Sequence, residues 1–228
     1  EIALRKKKIK VNEKKIKSNH RIQINDQISI SSEYRNLKKE KEYHFDINSK
    51  KEIDEMIIFQ DDEILILNKP SGIAVQGGTK IKKSIDTLLR SSFKSVKTRL
   101  VHRLDKDTSG ILIIALNRQI ADHMSYLFRE KKIIKNYWAL NVGKLKKGKG
   151  VINKKIKKKN SKTYDKALTE YYNYMIIKDN LNFVVFQPIT GRNHQIRIHS
   201  KELGIPILGD KRYGNVEDDE KLHLHSRS

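Results

Sequence analysis

The chain has 228 residues, enough for one sizeable hydrophobic core and a small appended module. Its 49 Lys and Arg against 27 Asp and Glu give a formal charge of +22 and a sequence pI of about 9.9, so a phosphate-bearing polymer is the leading partner, although part of the lysine excess reads as solvated surface. There is no cysteine, which excludes a disulfide framework and a thiolate metal site, and no apolar run reaches the length that spans a bilayer. With no signal-peptide pattern, the sequence reads as a soluble intracellular protein, and its opening at Glu1 reads as a start inside a longer chain.

In chain order, the Ile/Val alternation of KIKVNEKKIK (8–17) and RIQINDQISI (21–30) predicts two short strands, with Asn12-Glu13 and Asn25-Asp26 supplying turns. Residues 34–51 are charged and lack periodic apolar positions, which predicts a solvated linker, set at 41–52 between an amino-terminal module (1–40) and the main domain (53–228). From residue 53 the texture is that of a mixed α+β domain. EILILNKPSG (63–72) is a strand stopped by Pro70 and Gly72, and ILIIAL (111–116) is a buried strand by its unbroken apolar run. Asn117 is placed to cap a helix whose apolar residues Ile120, Ala121, Met124, Leu127 and Phe128 recur at helical spacing. YWALNV (137–142), TEYYNYMII (169–177) and NFVVFQPIT (182–190) are strand candidates, and residues 145–160 read as an exposed loop or edge hairpin. HQIRIHSKEL (194–203) predicts a helix ending at Gly204.

The polar cluster His102, Arg103, Asp105, Asp107, Thr108, Ser109 and Gly110 runs straight into the buried strand 111–116. Polar groups at a strand mouth are costly unless satisfied or used, although a turn with local backbone bonds would also account for them. HRLDKDTSG matches every position of the HRLDxxTSG signature and resembles the RluA-like pseudouridine synthases. KNYWALNVG (135–143), KALTEYY (166–172) and PITGRNHQIRIHSKELGIPILGDKRYG (188–214) resemble the family's further motifs, in its order. Residues 4–30 are similar to the second half of an S4 RNA-binding domain, and LHLHSRS (222–228) resembles the start of the family's last core strand, so both ends read as truncated.

The resemblance implies an α+β pseudouridine synthase fold, with a mixed and mainly antiparallel sheet, that isomerises uridines in structured RNA of the large-subunit, 23S-type ribosomal class. No redox change occurs in turning uridine into pseudouridine, so no cofactor is expected, nor a metal. A carboxylate suits the reaction, because it can attack as a nucleophile or take a proton from the sugar carbon beside the anomeric centre. By resemblance that group is Asp105, with Arg197 as the cation that keeps it ionised in a partly dry pocket and Tyr137 as the ring against the base. Arg103 and His102 are the expected contacts to the extruded nucleotide's surroundings, and Arg192 and Lys69 further phosphate contacts. The glycines 191, 204, 209 and 214 read as turn and cap positions.

A kinase-type loop is excluded, since Leu104 interrupts the H-R-D order and no D-F-G accompanies it. Metal-nuclease spacing is absent. The competing class is a ribosome-associated RNA-binding protein on a synthase-like scaffold without catalysis. The combination of Asp105, Tyr137 and Arg197 favours the enzyme. The expected form is a monomer without membrane attachment, in a bacterial cytoplasm or an organelle of bacterial origin.

Overall fold

The computed structural model describes residues 2–35, 44–78, 81, 83–93, 97–158, 161–178, 180–214 and 221–228. The chain divides into two compact units, Glu1–Tyr43 and His44–Ser228.

In the first unit a short helix α1 (Ile2–Arg5) precedes strands β1 (Ile9–Val11), β2 (Lys14–Lys15) and β3 (Ile28–Ile30), ordered β2-β1-β3 and antiparallel; helix α2 (Ser32–Arg35) follows. Asn12 and Glu13 both take positive φ (48° and 59°), the backbone a two-residue hairpin turn requires. Asn12 also ties the far loop down, accepting from the Gln27 amide at 2.9 Å and donating to Asp26 at 2.7 Å. RIQINDQISI contributes only its last three residues as strand, with Ile22 and Ile24 left exposed, so the alternation there marks a loop and not a second full strand.

The second unit opens with helix α3 (Ile47–Asp54), capped by Asp46, which accepts from the amides of Asn48 and Ser49. This corrects the linker expected at 41–52: residues 36–43 lie outside the described residues, but from 47 onward the chain is helical and Ile53 is fully buried. The charged composition hid the helix because Ser49 and Ile53 are its buried residues. Then come β4 (Ile57–Gln60), β5 (Ile64–Lys69), α4 (Ile85–Ser92), β6 (Arg99–Leu100), β7 (Ser109–Ala115), α5 (Arg118–Arg129), β8 (Tyr137–Val142), β9 (Lys149–Lys157), β10 (Tyr164–Lys178), β11 (Leu181–Pro188), α6 (Gln195–Glu202) and β12 (Leu224–Ser226). Asn117 caps α5 as expected, accepting from the Ile120 amide at 2.9 Å. The stretch 145–160 supplies β9 at the sheet edge, with Lys side chains exposed, as edges generally are protected.

The strands form one sheet in the order β4-β5-β7-β12-β8-β11-β10-β9, with β6 beside β7. All its pairings are antiparallel except β7 with β12, the mixed, mainly antiparallel sheet that was expected. Strand β12 thus joins two halves of the sheet. The approach to β7 is close: a Cβ at Gly110 would lie 2.1 Å from the Ser226 carbonyl oxygen, and φ there is +109°. Only glycine fits that position. Each half carries its own core. Leu65, Leu67, Leu112 and Ile114 pack with Ile53, Ile85 and Leu89 from α3 and α4, whereas Ala139, Val184, Phe186 and Leu224 pack with Ile196 of α6 and with Ile205 and Ile207. Tyr137 packs against both clusters, at the seam of the sheet.

Candidate active site

The seam opens into a cleft of about 640 Å³, a size typical of pockets that take a small organic ligand. Two loops make its walls, residues 102–108 before β7 and 189–194 before α6, and the end of α5 with the following turn makes the rim. Among its lining residues Asp105 is the one carboxylate, against the cations Arg103, Arg129, Lys131, Lys135, Arg192 and Arg197. Such a wall concentrates field on an anionic ligand and on the carboxylate within it.

The loop that carries Asp105 is held from several sides. Leu104 is buried in the first core cluster, the Thr108 amide donates to the Asp105 carbonyl at 3.2 Å, and the Gly72 amide donates to the Lys106 carbonyl at 3.0 Å. Ser71 donates its hydroxyl to the Asp107 carbonyl at 2.7 Å. Lys69 completes the buttress: its ammonium is spent on the carbonyls of Pro70, Ile73 and Lys106, at 2.8, 2.9 and 3.1 Å. The residue is 0% exposed, and burial lowers its pKa to about 8, with Asp107 and Asp105 opposing that shift. Lys69 was expected to touch phosphate; all three of its protons are instead committed to backbone inside the protein. It positions the Asp105 loop.

His102 is corrected in the same way. Its Nε2 accepts from the Ile113 amide at 2.8 Å and its ring stacks on Phe128 at 4.6 Å. Burial, with Lys135 adding, lowers its pKa to about 4, so the ring is neutral and fastens the loop to β7. It borders the cleft without offering a charge to RNA. Arg103 is exposed at the cleft mouth and Arg192 stands opposite, its Nε donating to the Lys166 carbonyl at 3.2 Å and its Nη1 lying 3.6 Å from Asp165.

Asp105, Tyr137 and Arg197 do line one cleft. The Tyr137 hydroxyl shares a hydrogen bond with Ser226; burial raises its pKa, Ser226 opposes and Asp105 adds to the rise, so it stays protonated. The direct partner of Arg197 differs from the one expected. Its guanidinium forks onto Asp210, Nε to Oδ2 at 2.8 Å and Nη2 to Oδ1 at 2.7 Å, and the two side chains are 6% and 0% exposed. Burial works against the charge on Arg197, but the hydrogen bond and charge of Asp210, helped by Asp105 and Asp107, raise its pKa. The arginine therefore acts on Asp105 through the field and not through a shared hydrogen bond.

His194 and Asp210 were not singled out from sequence, although both stand in the quoted motifs. His194 Nε2 lies 4.0 Å from Asp105 Oδ2, and its Nδ1 is 3.1 Å from the Tyr213 hydroxyl. Asp210 accepts, besides the arginine fork, the amides of Arg212 and Tyr213 at 3.0 Å each. The signal available was a Gly-Asp pair after an apolar run, a carboxylate with no reason to be solvated. The neighbouring motif residues are structural: Gln195 accepts from Thr190 and the Arg192 amide and donates to Leu168 and Thr169, fixing the 189–194 loop to β10, and His199 bonds Thr169 at 2.8 Å.

The family described as RNA pseudouridylate synthase matches residues 63–202. The protein named ribosomal large subunit pseudouridine synthase C from Rickettsia conorii (strain ATCC VR-613 / Malish 7) is 39% identical over 95% of this chain and 77% of its own. Among solved structures, human RNA pseudouridylate synthase domain containing 4 superposes with a TM-score of 0.68 at 27% identity, covering 78% of this chain and 84% of that one. Human RNA pseudouridylate synthase domain containing 1 gives 0.64 at 26% identity, over 75% of each chain. By sequence and by the α+β fold that carries its site, the chain belongs to the RNA pseudouridylate synthase family and is an RNA pseudouridine synthase.

Proposed function

We propose that the protein isomerises uridines of large-subunit ribosomal RNA, with Asp105 as the reacting carboxylate. The observation that carries the reading is the cleft itself, in which a single carboxylate, faced by Tyr137, stands among six cationic side chains. A uridine inside RNA structure must leave its stack before its glycosidic bond can be reached. Arg103 and Arg192 at the mouth engage the flanking phosphates, and Tyr137 offers its ring to the extruded base. Asp105 then acts at the sugar, as nucleophile at the anomeric carbon or as base at its neighbour; the N-glycosidic bond breaks, the uracil turns, and the carbon–carbon bond forms as its C5 proton leaves. Electrons balance within the nucleoside, so side chains alone suffice. The naming of the Rickettsia relative after the large subunit supports the substrate, and the bacterial origin of that relative supports a bacterial cytoplasm. The amino-terminal unit, S4-like by its motif, adds contacts to structured RNA, and the protein works as a monomer.

The test is Asp105→Asn in the purified chain, with an unmodified transcript of large-subunit ribosomal RNA. Release of tritium from C5-labelled uridine should vanish while RNA affinity stays within about twofold. Continued conversion by that variant would overturn Asp105 as the reacting group, and a wild-type chain that leaves this transcript unconverted would overturn the substrate.

A further inference from the structure

His194 is the N-cap residue of α6 but makes no side-chain cap bond, and its backbone is left-handed, at φ 53° and ψ 26°. A histidine in that conformation is strained relative to glycine or asparagine, by about 1–2 kcal/mol, and such strain persists where the surroundings over-determine it. The strain has a geometric result. Instead of turning back to cap the helix, the imidazole is aimed across the cleft, with one ring nitrogen towards Tyr213 and the other towards Asp105. Asp105 has no side-chain hydrogen bond among the described residues and Arg197 is engaged by Asp210, while His194 Nε2 stands 4.0 Å from Asp105 Oδ2.

We infer that His194 is the positioning residue of the reacting carboxylate, the middle member of a Tyr213–His194–Asp105 relay that fixes the direction in which Asp105 presents its oxygens. This rests on Asp105 being the reacting group. The relay has one sense. Nε2 faces a carboxylate, which accepts, so a neutral ring holds its proton there and Nδ1 is left to accept from the Tyr213 hydroxyl, which burial keeps protonated even though Arg212 and Arg197 oppose it. Burial lowers the pKa of His194, with Asp105 opposing, so the ring is neutral and its one proton sits on Nε2, towards Asp105. Tyr213 is itself held, with the Arg197 guanidinium 5.2 Å and the Arg212 guanidinium 5.4 Å from its ring centre. At 4.0 Å the last link is longer than a hydrogen bond, and an approach of about 1 Å on substrate binding makes it one.

Two substitutions separate this role from a structural one. Asparagine tolerates the left-handed backbone and mimics Nδ1, keeping the Tyr213 contact while losing the reach to Asp105. Glutamine is strained like histidine but places an amide near Nε2, losing Tyr213 and keeping Asp105. With saturating wild-type or variant protein over the large-subunit ribosomal RNA transcript, His194→Asn should slow single-turnover conversion by about a hundredfold at unchanged RNA affinity and equal or higher melting temperature. His194→Gln should recover to within about tenfold of wild type. If asparagine proves the better replacement, or keeps its rate within threefold of wild type, the inference is overturned. Loss of conversion in Asp105→Asn alongside a normal His194→Asn would sink this inference alone; conversion by Asp105→Asn would sink the reading beneath it.

Discussion

The buried Arg197–Asp210 pair makes a quantitative claim about what holds the cleft together. In Asp210→Asn the amide oxygen can keep the place of Oδ1, which accepts from Arg197 Nη2 and the amides of Arg212 and Tyr213, but an NH2 group then confronts the Arg197 Nε–H where Oδ2 had accepted it. The guanidinium is left charged at 5% exposure without a counter-charge in contact. Removing one partner of such a pair costs about 3–5 kcal/mol. At about 2–4 °C per kcal/mol for a unit of this size, the melting temperature should fall by roughly 6–20 °C. Burial opposes ionisation of Asp210, but the hydrogen bond and charge of Arg197 and the two amides outweigh it, so its pKa lies below the ordinary 3.8. Its contribution is therefore complete above pH 3.8 and disappears as pH falls through the folded value, an acid dependence the variant should lack. Thermal unfolding by circular dichroism, repeated for Arg197→Met and for the double variant, checks this, since the double variant leaves no unpaired buried charge and should cost less than the two single changes added together. A loss below about 1 kcal/mol in Asp210→Asn, or additivity in the double variant, would refute the reasoning.

Three further outcomes are expected. Lys69→Met strips three buried carbonyls of their donor, which should lower stability by about 3 kcal/mol or more, measured by urea unfolding; since the folded Lys69 pKa of about 8 lies below the ordinary 10.5, wild-type stability should also gain a contribution between those pH values that the variant does not show. His102, with a folded pKa of about 4 against an ordinary 6.5, binds its proton in the unfolded chain first, so stability should fall as pH drops across that interval, and less so in His102→Gln, which keeps an acceptor for the Ile113 amide. RNA affinity, measured by filter binding across a salt series, should fall steeply with ionic strength, and Arg103→Ala should reduce the slope by about 0.7 while Lys69→Met leaves it unchanged.

What the sequence revealed, and what it hid, follows the range of the interactions. Strands β5 and β7 and helix α5 are legible because their apolar spacing and the Asn117 cap are local signals. Helix α3 is not, since it is a charged segment made helical by a cap and one deeply buried isoleucine; the strand expected from LHLHSRS is present as β12, and its central place beside β7 goes with the close approach at Gly110. The motifs located the site, and Asp105, Tyr137 and Arg197 do meet in it. They did not reveal that Arg197 belongs to Asp210, nor that the lysine of NKPSG is buried beneath the Asp105 loop, because both depend on partners distant in sequence and on burial of residues that are ordinarily solvated.

The place where the RNA puts its uridine decides whether the cleft is the active site. A structure of the Asp105→Asn protein with a large-subunit ribosomal RNA stem-loop should show one uridine out of its stack, the ring of Tyr137 against its base, and its anomeric carbon about 3–3.5 Å from the side chain at position 105. An RNA bound across the protein with its bases stacked and the cleft unentered would contradict it.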